Sequence, residues 1–200
     1  MEINKQVKPG SGFLKIVLTL MIITAISGGI LASVYSVTKE KIKYQQKQKI
    51  EKAILSILPQ TLQVDEVKVN SYTLYKCKDE DGEVAGLAFI AEGPGYQDLI
   101  KVLVVMNTDL TLIKGIEILE SVETPGLGDK ITKGEFKKQF KDASSVLKLS
   151  KGPPEKGDKE TVIHVVTGAT ISSQAVVDII NAKMNKIRGV LILNTNQDED

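Results

Sequence analysis

The sequence predicts an α+β protein, in which a single N-terminal transmembrane helix is followed by a mainly antiparallel sheet domain with flanking helices. Residues 16–37 contain no charged side chain. Beyond them, short stretches rich in Val, Ile, Tyr and Thr alternate with turn residues, a pattern typical of β-hairpins. Residues 172–187 then place apolar side chains at the spacing of an amphipathic helix.

The uncharged segment is long enough to cross a bilayer. As a helix it would rise about 33 Å, against a hydrocarbon core about 30 Å thick. A signal peptide is the alternative, because Lys5, Lys8 and Lys15 precede the segment and it contains the small residues Ala32 and Ser33. The apolar region of a signal peptide usually has about 7–15 residues, so the greater length here favours an uncleaved anchor.

Composition excludes several classes of site. The chain has 26 Lys and Arg against 25 Asp and Glu, which argues against a nucleic-acid-binding surface. Cys77 is the only cysteine and His164 the only histidine, so a thiolate-bound cluster or a histidine metal cage cannot be built from this chain. Cys77 is expected to be a packed side chain in a strand. Redox chemistry would therefore need an organic cofactor.

The segment after the span predicts a linker helix over residues 38–58, which Pro59 ends. Two hairpins are expected next, with a tight Gly-Pro-Gly-Tyr loop at residues 93–96 between them. Adjacent hairpins imply a mainly antiparallel sheet. The expected strands are residues 67–78 and 84–91 in the first hairpin, and residues 99–106 and 111–119 in the second.

The C-terminal half begins with a loop rich in Gly and Pro at residues 123–128. Thr132 and Glu135 have the spacing of a capping box, before a short helix carrying Phe136 and Phe140. The remaining expected elements are an exposed loop at residues 151–159, a strand at 161–166, a helix at 172–187 and a disordered acidic tail at 194–200.

The turn between that last strand and the last helix, residues 167–170, reads Thr-Gly-Ala-Thr. A hydroxyl at a helix N-terminus lies where free N–H groups and the helix dipole favour a phosphate. An ordinary junction capped by Thr170, Ser172 or Ser173 is the alternative. A hydrolase with Ser172 or Ser173 and His164 as base is disfavoured, because an extended strand would separate these groups by roughly 20 Å.

Three stretches together resemble the FMN-binding domains of the G subunit of Rnf complexes and the C subunit of sodium-pumping NADH:quinone oxidoreductases. Residues 167–173, Thr-Gly-Ala-Thr-Ile-Ser-Ser, are similar to the flavinylation sequence of that family, although His164 stands where the motif usually has Asp. Residues 123–128, Glu-Thr-Pro-Gly-Leu-Gly, match a characteristic loop, and residues 93–96 resemble its glycine-tyrosine turn. The short chain favours the Rnf G subunit.

The resemblance implies a covalent FMN, linked through its phosphate to Thr170. The 167–170 turn would shape the approach of the phosphate, and the 123–128 loop would pack against the isoalloxazine. Glu123 would either influence the flavin through its charge or cap its own turn. The implied cofactor-binding residues are Thr170, Thr167, Gly168, Ala169, Glu123, Thr124, Pro125, Gly126, Leu127 and Gly128.

The resemblance also implies a role in electron transfer between ferredoxin and NAD, coupled to sodium or proton movement. The implied partners are the other Rnf subunits, a flavin transferase and membrane lipid, with no nucleic acid. The family places the C-terminal domain outside the cytoplasm, whereas the lysines at residues 39–52 lean weakly the other way. A C-type subunit of a sodium-pumping NADH:quinone oxidoreductase, a stand-alone extracytoplasmic flavoprotein and a non-redox binding module are the alternatives.

These expectations divide the chain as follows: an N-terminal cytoplasmic segment at residues 1–15, the transmembrane helix at 16–37, the linker helix at 38–59, the FMN-binding domain at 60–193 and the tail at 194–200.

Overall fold

A long N-terminal helix and a six-stranded antiparallel sheet are the main elements of this protein. The computed structural model describes residues 11–152 and 161–195. Contacts between Cα atoms divide the chain into two compact units, with the division between Lys47 and Gln48.

The first helix, α1, runs without interruption from Ser11 to Ile57. Its apolar side chains in residues 13–37 are exposed, and within the described residues it is the one helix long and apolar enough to cross a membrane. It ends at Ile57, one residue before the predicted end at residue 58. The predicted N-terminal apolar helix and the linker helix are therefore a single continuous helix, which already includes residues 11–15.

The sheet has the strand order β1-β2-β3-β4-β5-β6, so that each strand pairs with its neighbour in sequence. All pairs in it are antiparallel. The predicted fold class is confirmed. The strands are β1 (Gln63–Val69), β2 (Tyr72–Lys78), β3 (Val84–Pro94), β4 (Leu99–Met106), β5 (Leu112–Glu120) and β6 (Ala143–Ser144).

Two strand predictions were wrong in their bounds. The stretch 67–78 is not one strand, because Asn70 adopts a positive φ of 53° and turns the chain between β1 and β2. Asn tolerates this conformation better than most residues. The 84–91 strand continues to Pro94, which pairs with Leu99, so the tight loop comprises only residues 95–98.

The segment after β5 also differs from the prediction. The capping box does not form: Thr132 Oγ1 donates to the carbonyl of Asp129, and Lys133, at the N-cap of the short helix α2 (Gly134–Lys137), makes no side-chain cap. Phe136 and Phe140 do pack together, edge to face with centroids 5.2 Å apart. Two 3-10 turns, Gly128–Thr132 and Lys138–Phe140, flank α2.

The predicted 161–166 strand is shorter in the structure. It is β8 (Val162–His164), which pairs in parallel with β7 (Lys148–Ser150), a strand that the sequence pattern did not predict. The last helix, α3, runs from Thr170 to Thr195, so it begins two residues earlier than predicted and includes the first two residues of the expected tail. Residues 153–160, which include most of the expected exposed loop at 151–159, and residues 196–200 lie outside the described residues.

Both faces of the sheet are covered within the second unit. On one face, Ala53 and Ile54 at the end of α1 pack with Cys77, Leu103 and Val105. The other face packs against α3, α2 and the 3-10 turns. Because consecutive side chains of a strand point to opposite faces, alternate residues of β4 contribute to two different cores. The second core includes Ile100, Val102, Val104, Met106, Phe136, Phe140, Val176, Ile180 and Met184.

Candidate functional site

The helix α3 begins at Thr170, beside the loops that end β3 and β5. The carbonyl of Ala169 accepts the first helical hydrogen bond, from Ser173 N at 2.8 Å, so Ala169 occupies the capping position. The predicted hydroxyl caps are therefore wrong: Ser172 bonds elsewhere, and Ser173 Oγ accepts from Val166 N. Thr170 is exposed as the first helical residue. Within the described residues, the N–H groups of residues 170–172 have no backbone acceptor.

The 167–170 turn is held from both sides. Ala169 N donates to Val166 O at 2.8 Å, and Gly168 has a positive φ of 85°, which few side chains tolerate. Lys130 lies in the 3-10 turn Gly128–Thr132, which follows the 123–128 loop. Its Nζ donates to Thr167 O at 2.7 Å. Thr167 therefore contributes its carbonyl to the architecture of the turn.

Glu123 connects three segments around this turn. Its side chain is 6% exposed, and Oε1 accepts from Tyr96 N at 2.7 Å and from Gln97 N at 3.2 Å. Oε2 accepts from Ser172 Oγ at 2.7 Å. Both carboxylate oxygens are thus used by the β3–β4 loop and the first turn of α3. Of the two roles considered for Glu123, this geometry favours a structural one, although it joins separate loops rather than capping its own turn.

Two glycines make room for that carboxylate. A Cβ at Gly95 would overlap Glu123 Oε1, and a Cβ at Gly128 would lie 2.6 Å from Oε2 and 2.7 Å from Ser172 Oγ. Both distances are far below van der Waals contact. The two loops that resemble family motifs therefore need glycine because they pack against the same buried side chain.

The 123–128 loop closes on itself through its backbone. Leu127 N donates to Thr124 O at 3.1 Å, and Asp129 N donates to the same carbonyl at 3.2 Å. Gly126 has a positive φ of 76° and, like Pro125, is exposed. These two residues form the tip of the loop, and neither lines the cleft between this loop and the start of α3.

A cleft of about 330 Å³ lies between the 123–128 loop and the start of α3. Ligand sites commonly have about 300–1,000 Å³. Most of the predicted residues come together in it, while Thr167, Pro125 and Gly126 do not line it. Its lining residues are Tyr96, Glu123, Thr124, Leu127, Gly128, Gly168, Ala169, Thr170, Ile171 and Ser172.

Large side chains around the cleft extend into solvent. Tyr96 is 64% exposed, Leu127 50% and Ile171 58%. Exposed apolar side chains that cluster at a cleft indicate a binding surface, whereas single exposed apolar residues are common on protein surfaces. Tyr96 and Ile171 were not among the predicted site residues. Their positions are the available signal, because Tyr96 ends the glycine-tyrosine turn and Ile171 directly follows Thr170. A larger groove of about 620 Å³ continues from Ile171 along α3.

The hydrolase alternative is contradicted by the side-chain contacts. His164 Nδ1 lies 2.9 Å from Gly152 O, and the Ser172 hydroxyl donates to Glu123. Cys77 is fully buried, and burial raises the pKa of its thiol to about 11. It is therefore a packed thiol, as expected, and poorly suited to nucleophilic chemistry.

These residues fit a flavin nucleotide. The unpartnered N–H groups at the start of α3 suit a phosphate, and the exposed Thr170 hydroxyl lies next to them. The absence of a Cβ at Gly168 keeps the turn open beside Leu127, whose side chain and those of Tyr96 and Ile171 offer apolar surface to a ring system. Residues 95–185 match the family model described as FMN-binding domain, and residues 13–57 match the one described as RnfG N-terminal region.

Relatives extend this match along the chain. The chain is 31% identical, over 86% of its length and 93% of the relative, to the G subunit of the ion-translocating oxidoreductase complex of Methanosarcina acetivorans. It is 32% identical, over 78% of its length and 82% of the relative, to the G subunit of the proton-translocating ferredoxin:NAD(+) oxidoreductase complex of Clostridium ljungdahlii.

A solved structure shares the fold. The C subunit of the Na(+)-translocating NADH-quinone reductase from Parabacteroides distasonis superposes with a TM-score of 0.56 at 17% identity, over 74% of this chain and 94% of that one. The family models and the relatives that match most of this chain point to the same family, and the two motif loops and the cleft are consistent with it. The chain belongs to the family of G subunits of ion-translocating oxidoreductase complexes.

Proposed function

We propose that this chain is the electron-carrying G subunit of an ion-translocating ferredoxin:NAD oxidoreductase, with one FMN joined as a phosphoester to Thr170 Oγ1. The observation that carries the proposal is the exposed Thr170 hydroxyl, at the start of a helix and on the wall of the cleft, within the FMN-binding domain. A covalent cofactor cannot be lost during turnover.

Each part of the site has a role in this proposal. The N–H groups of residues 170–172 and the positive end of the α3 dipole would stabilise a phosphate bound at Thr170. Gly168 keeps the turn open, since a side chain there would meet Leu127. Leu127, Ile171 and Tyr96 would offer apolar surface to a bound ring system and exclude water from it. Glu123 would hold these segments together.

The attachment step is a phosphoryl transfer from an activated donor. Thr170 Oγ1 would attack the FMN phosphorus of a flavin dinucleotide, so that the phosphoester bond forms, the pyrophosphate bond breaks and a nucleoside monophosphate leaves. The hydroxyl proton passes to a base of the flavin transferase. When bound, the flavin supplies the redox chemistry, which fits a chain whose cysteine is buried and protonated at neutral pH.

The position in the cell follows from the same assignment. The apolar part of α1 anchors the protein in the cell membrane with the C-terminal domain outside the cytoplasm, beside the other subunits of the complex. A C-terminal alkaline phosphatase fusion should be active and a C-terminal green fluorescent protein fusion dark. The reverse pattern would contradict this topology.

The attachment is tested by mass. The full-length chain, co-expressed with its transferase, should carry one FMN less water, mapped to the peptide containing Thr170, and should fluoresce in a denaturing gel. Thr170→Val keeps the shape of the side chain and should be unmodified, whereas Thr170→Ser should retain the adduct. An unmodified Thr170 peptide in the wild-type chain would overturn the proposal.

A further inference from the structure

Lys130 is the basic side chain that reaches the 167–170 turn within the described residues. Its Nζ donates to Thr167 O at 2.7 Å and would lie 3.2 Å from a Cβ placed on Gly168. The side chain is half-buried at the end of the 123–128 loop. A cation is therefore held against the turn by the loop on the other side of the cleft.

Within the described residues, Lys130 has no carboxylate partner. Across residues 11–152 and 161–195, the ion pairs place no Asp or Glu oxygen within 4.0 Å of Lys130. Glu123, the buried carboxylate of the cleft, is bonded to the N–H groups of residues 96 and 97 and to Ser172 instead. Glu123 therefore lines the cleft with neutral hydrogen-bond partners, and Lys130 lies beside the cleft, on the 167–170 turn, with a carbonyl partner.

We propose that Lys130 is the counter-charge for the phosphodiester that joins FMN to Thr170. The inference rests on the proposed function and goes beyond it by naming the side chain that neutralises the phosphate. A phosphodiester next to a buried carboxylate would add a second negative charge to the cleft, and Lys130 offsets it. The ammonium has three donors, so it keeps its bond to Thr167 O while turning another N–H to a phosphate oxygen.

Lys130 Nζ lies beside Gly168, which is two residues before the attachment hydroxyl. The Cα atoms of Gly168 and Thr170 are separated by at most about 7 Å, the reach of two residues. Interactions between exposed charges are largely screened beyond a Debye length, about 8 Å at physiological ionic strength, and partly buried charges are screened less. The same Lys130 bond fixes the 167–170 turn before any flavin arrives, so charge and position are supplied together.

A purely structural lysine would behave differently from a counter-charge. If only the bond to Thr167 O mattered, Lys130→Gln would keep much of the role, because its amide also donates. A counter-charge instead requires a cation, which Lys130→Arg retains. Lys133→Gln is a matched control, since Lys133 lies in the same segment, is exposed and makes no contact with the 167–170 turn among the described side chains.

The test compares full-length wild type, Lys130→Gln, Lys130→Arg and Lys133→Gln, each with purified transferase and flavin dinucleotide. Intact mass follows the initial rate of flavin attachment. Losing one charge-assisted hydrogen bond should slow Lys130→Gln about tenfold, whereas Lys130→Arg and Lys133→Gln stay near the wild-type rate. Circular dichroism melting of the flavin-free proteins checks that each variant is folded.

A second measurement does not depend on the transferase. In fully modified protein, the ³¹P resonance of the phosphodiester should move in Lys130→Gln but stay near its wild-type position in Lys130→Arg and Lys133→Gln. Unchanged rate and resonance in a modified Lys130→Gln protein would overturn the role of Lys130 alone. Equal losses in Lys130→Gln and Lys130→Arg would also overturn it. An unmodified wild-type chain would overturn both this inference and the proposed function.

Discussion

Ser172 Oγ donates a buried hydrogen bond of 2.7 Å to Glu123 Oε2, across 49 positions of sequence. Through this bond the first turn of α3 is tied to the loop that follows β5. Glu123 Oε1 extends the connection to the β3–β4 loop. The position of Thr170, two residues before Ser172, therefore depends on a carboxylate that is distant from the helix in sequence.

Removing the Ser172 hydroxyl should destabilise the domain. Ser172→Ala leaves one oxygen of a buried carboxylate without its donor, which should cost about 1–3 kcal/mol. Glu123→Gln should cost less than Glu123→Ala, because the amide keeps an acceptor for the backbone N–H groups and presents a donor to Ser172. Urea unfolding of the full-length chain in detergent measures each change. Wild-type stability in Ser172→Ala would contradict the role given to this bond.

Glycine is required where the loops meet Glu123. Gly128→Ala should destabilise the chain by about 1–3 kcal/mol, because its Cβ would displace both Glu123 and Ser172. Gly134→Ala is the matched control, since Gly134 has open space around it and no positive φ. It should leave the unfolding midpoint unchanged or raise it slightly, as Ala favours a helix. Equal effects of the two substitutions would show that crowding at Glu123 is not the cause.

The apolar rim of the cleft should restrain the flavin ring after attachment. Leu127→Ser removes exposed apolar surface beside Thr170 without touching the acceptor hydroxyl. The Thr170 adduct should still form, while the fluorescence anisotropy of the flavin falls because the ring moves more freely. Val146→Ser, at a residue 52% exposed outside the cleft, should leave the anisotropy unchanged. A normal anisotropy in Leu127→Ser would remove this side chain from the binding surface.

Because the thiol of Cys77 is buried, we expect the free energy of unfolding to fall at alkaline pH. Burial raises the pKa of this thiol to about 11 in the folded chain. Below the pKa of the unfolded chain, about 8.5, both states hold the proton and Cys77 adds no pH dependence. Between that pH and 11 the unfolded state binds fewer protons, so stability falls as pH rises, by about 3 kcal/mol in total.

The comparison that isolates this effect is Cys77→Ala, in which the contribution of the thiol disappears. In urea unfolding of both full-length proteins at pH 8, 9 and 10, the free energy of the wild type should fall relative to that of Cys77→Ala as pH increases, and the cost of the smaller side chain adds only a constant offset. Alkylation of Cys77 at pH 8 should be slow until urea is added. Parallel pH profiles in the two proteins would contradict the burial argument.

Local patterns were enough to predict much of this protein. The uncharged run at residues 16–37 and the position of Pro59 predict the long helix, because span length and helix termination depend on neighbouring residues. Alternating apolar residues predict the central strands β3, β4 and β5. The errors have two causes. The αL turn at Asn70 was hidden in a stretch of uniform β-propensity, which is a local effect, whereas β7 is a strand only because the distant β8 pairs with it.

The site divides in the same way. The sequence by itself determined which loops are candidates for the cofactor site, because Thr170 and the glycines stand in recognisable order along the chain. Only the tertiary structure decided what holds them together: the carboxylate of Glu123 between Tyr96 and Ser172, and the ammonium of Lys130 on Thr167. Hydrogen bonds and charge pairs between distant segments depend on distances in space, which spacing along the chain does not encode.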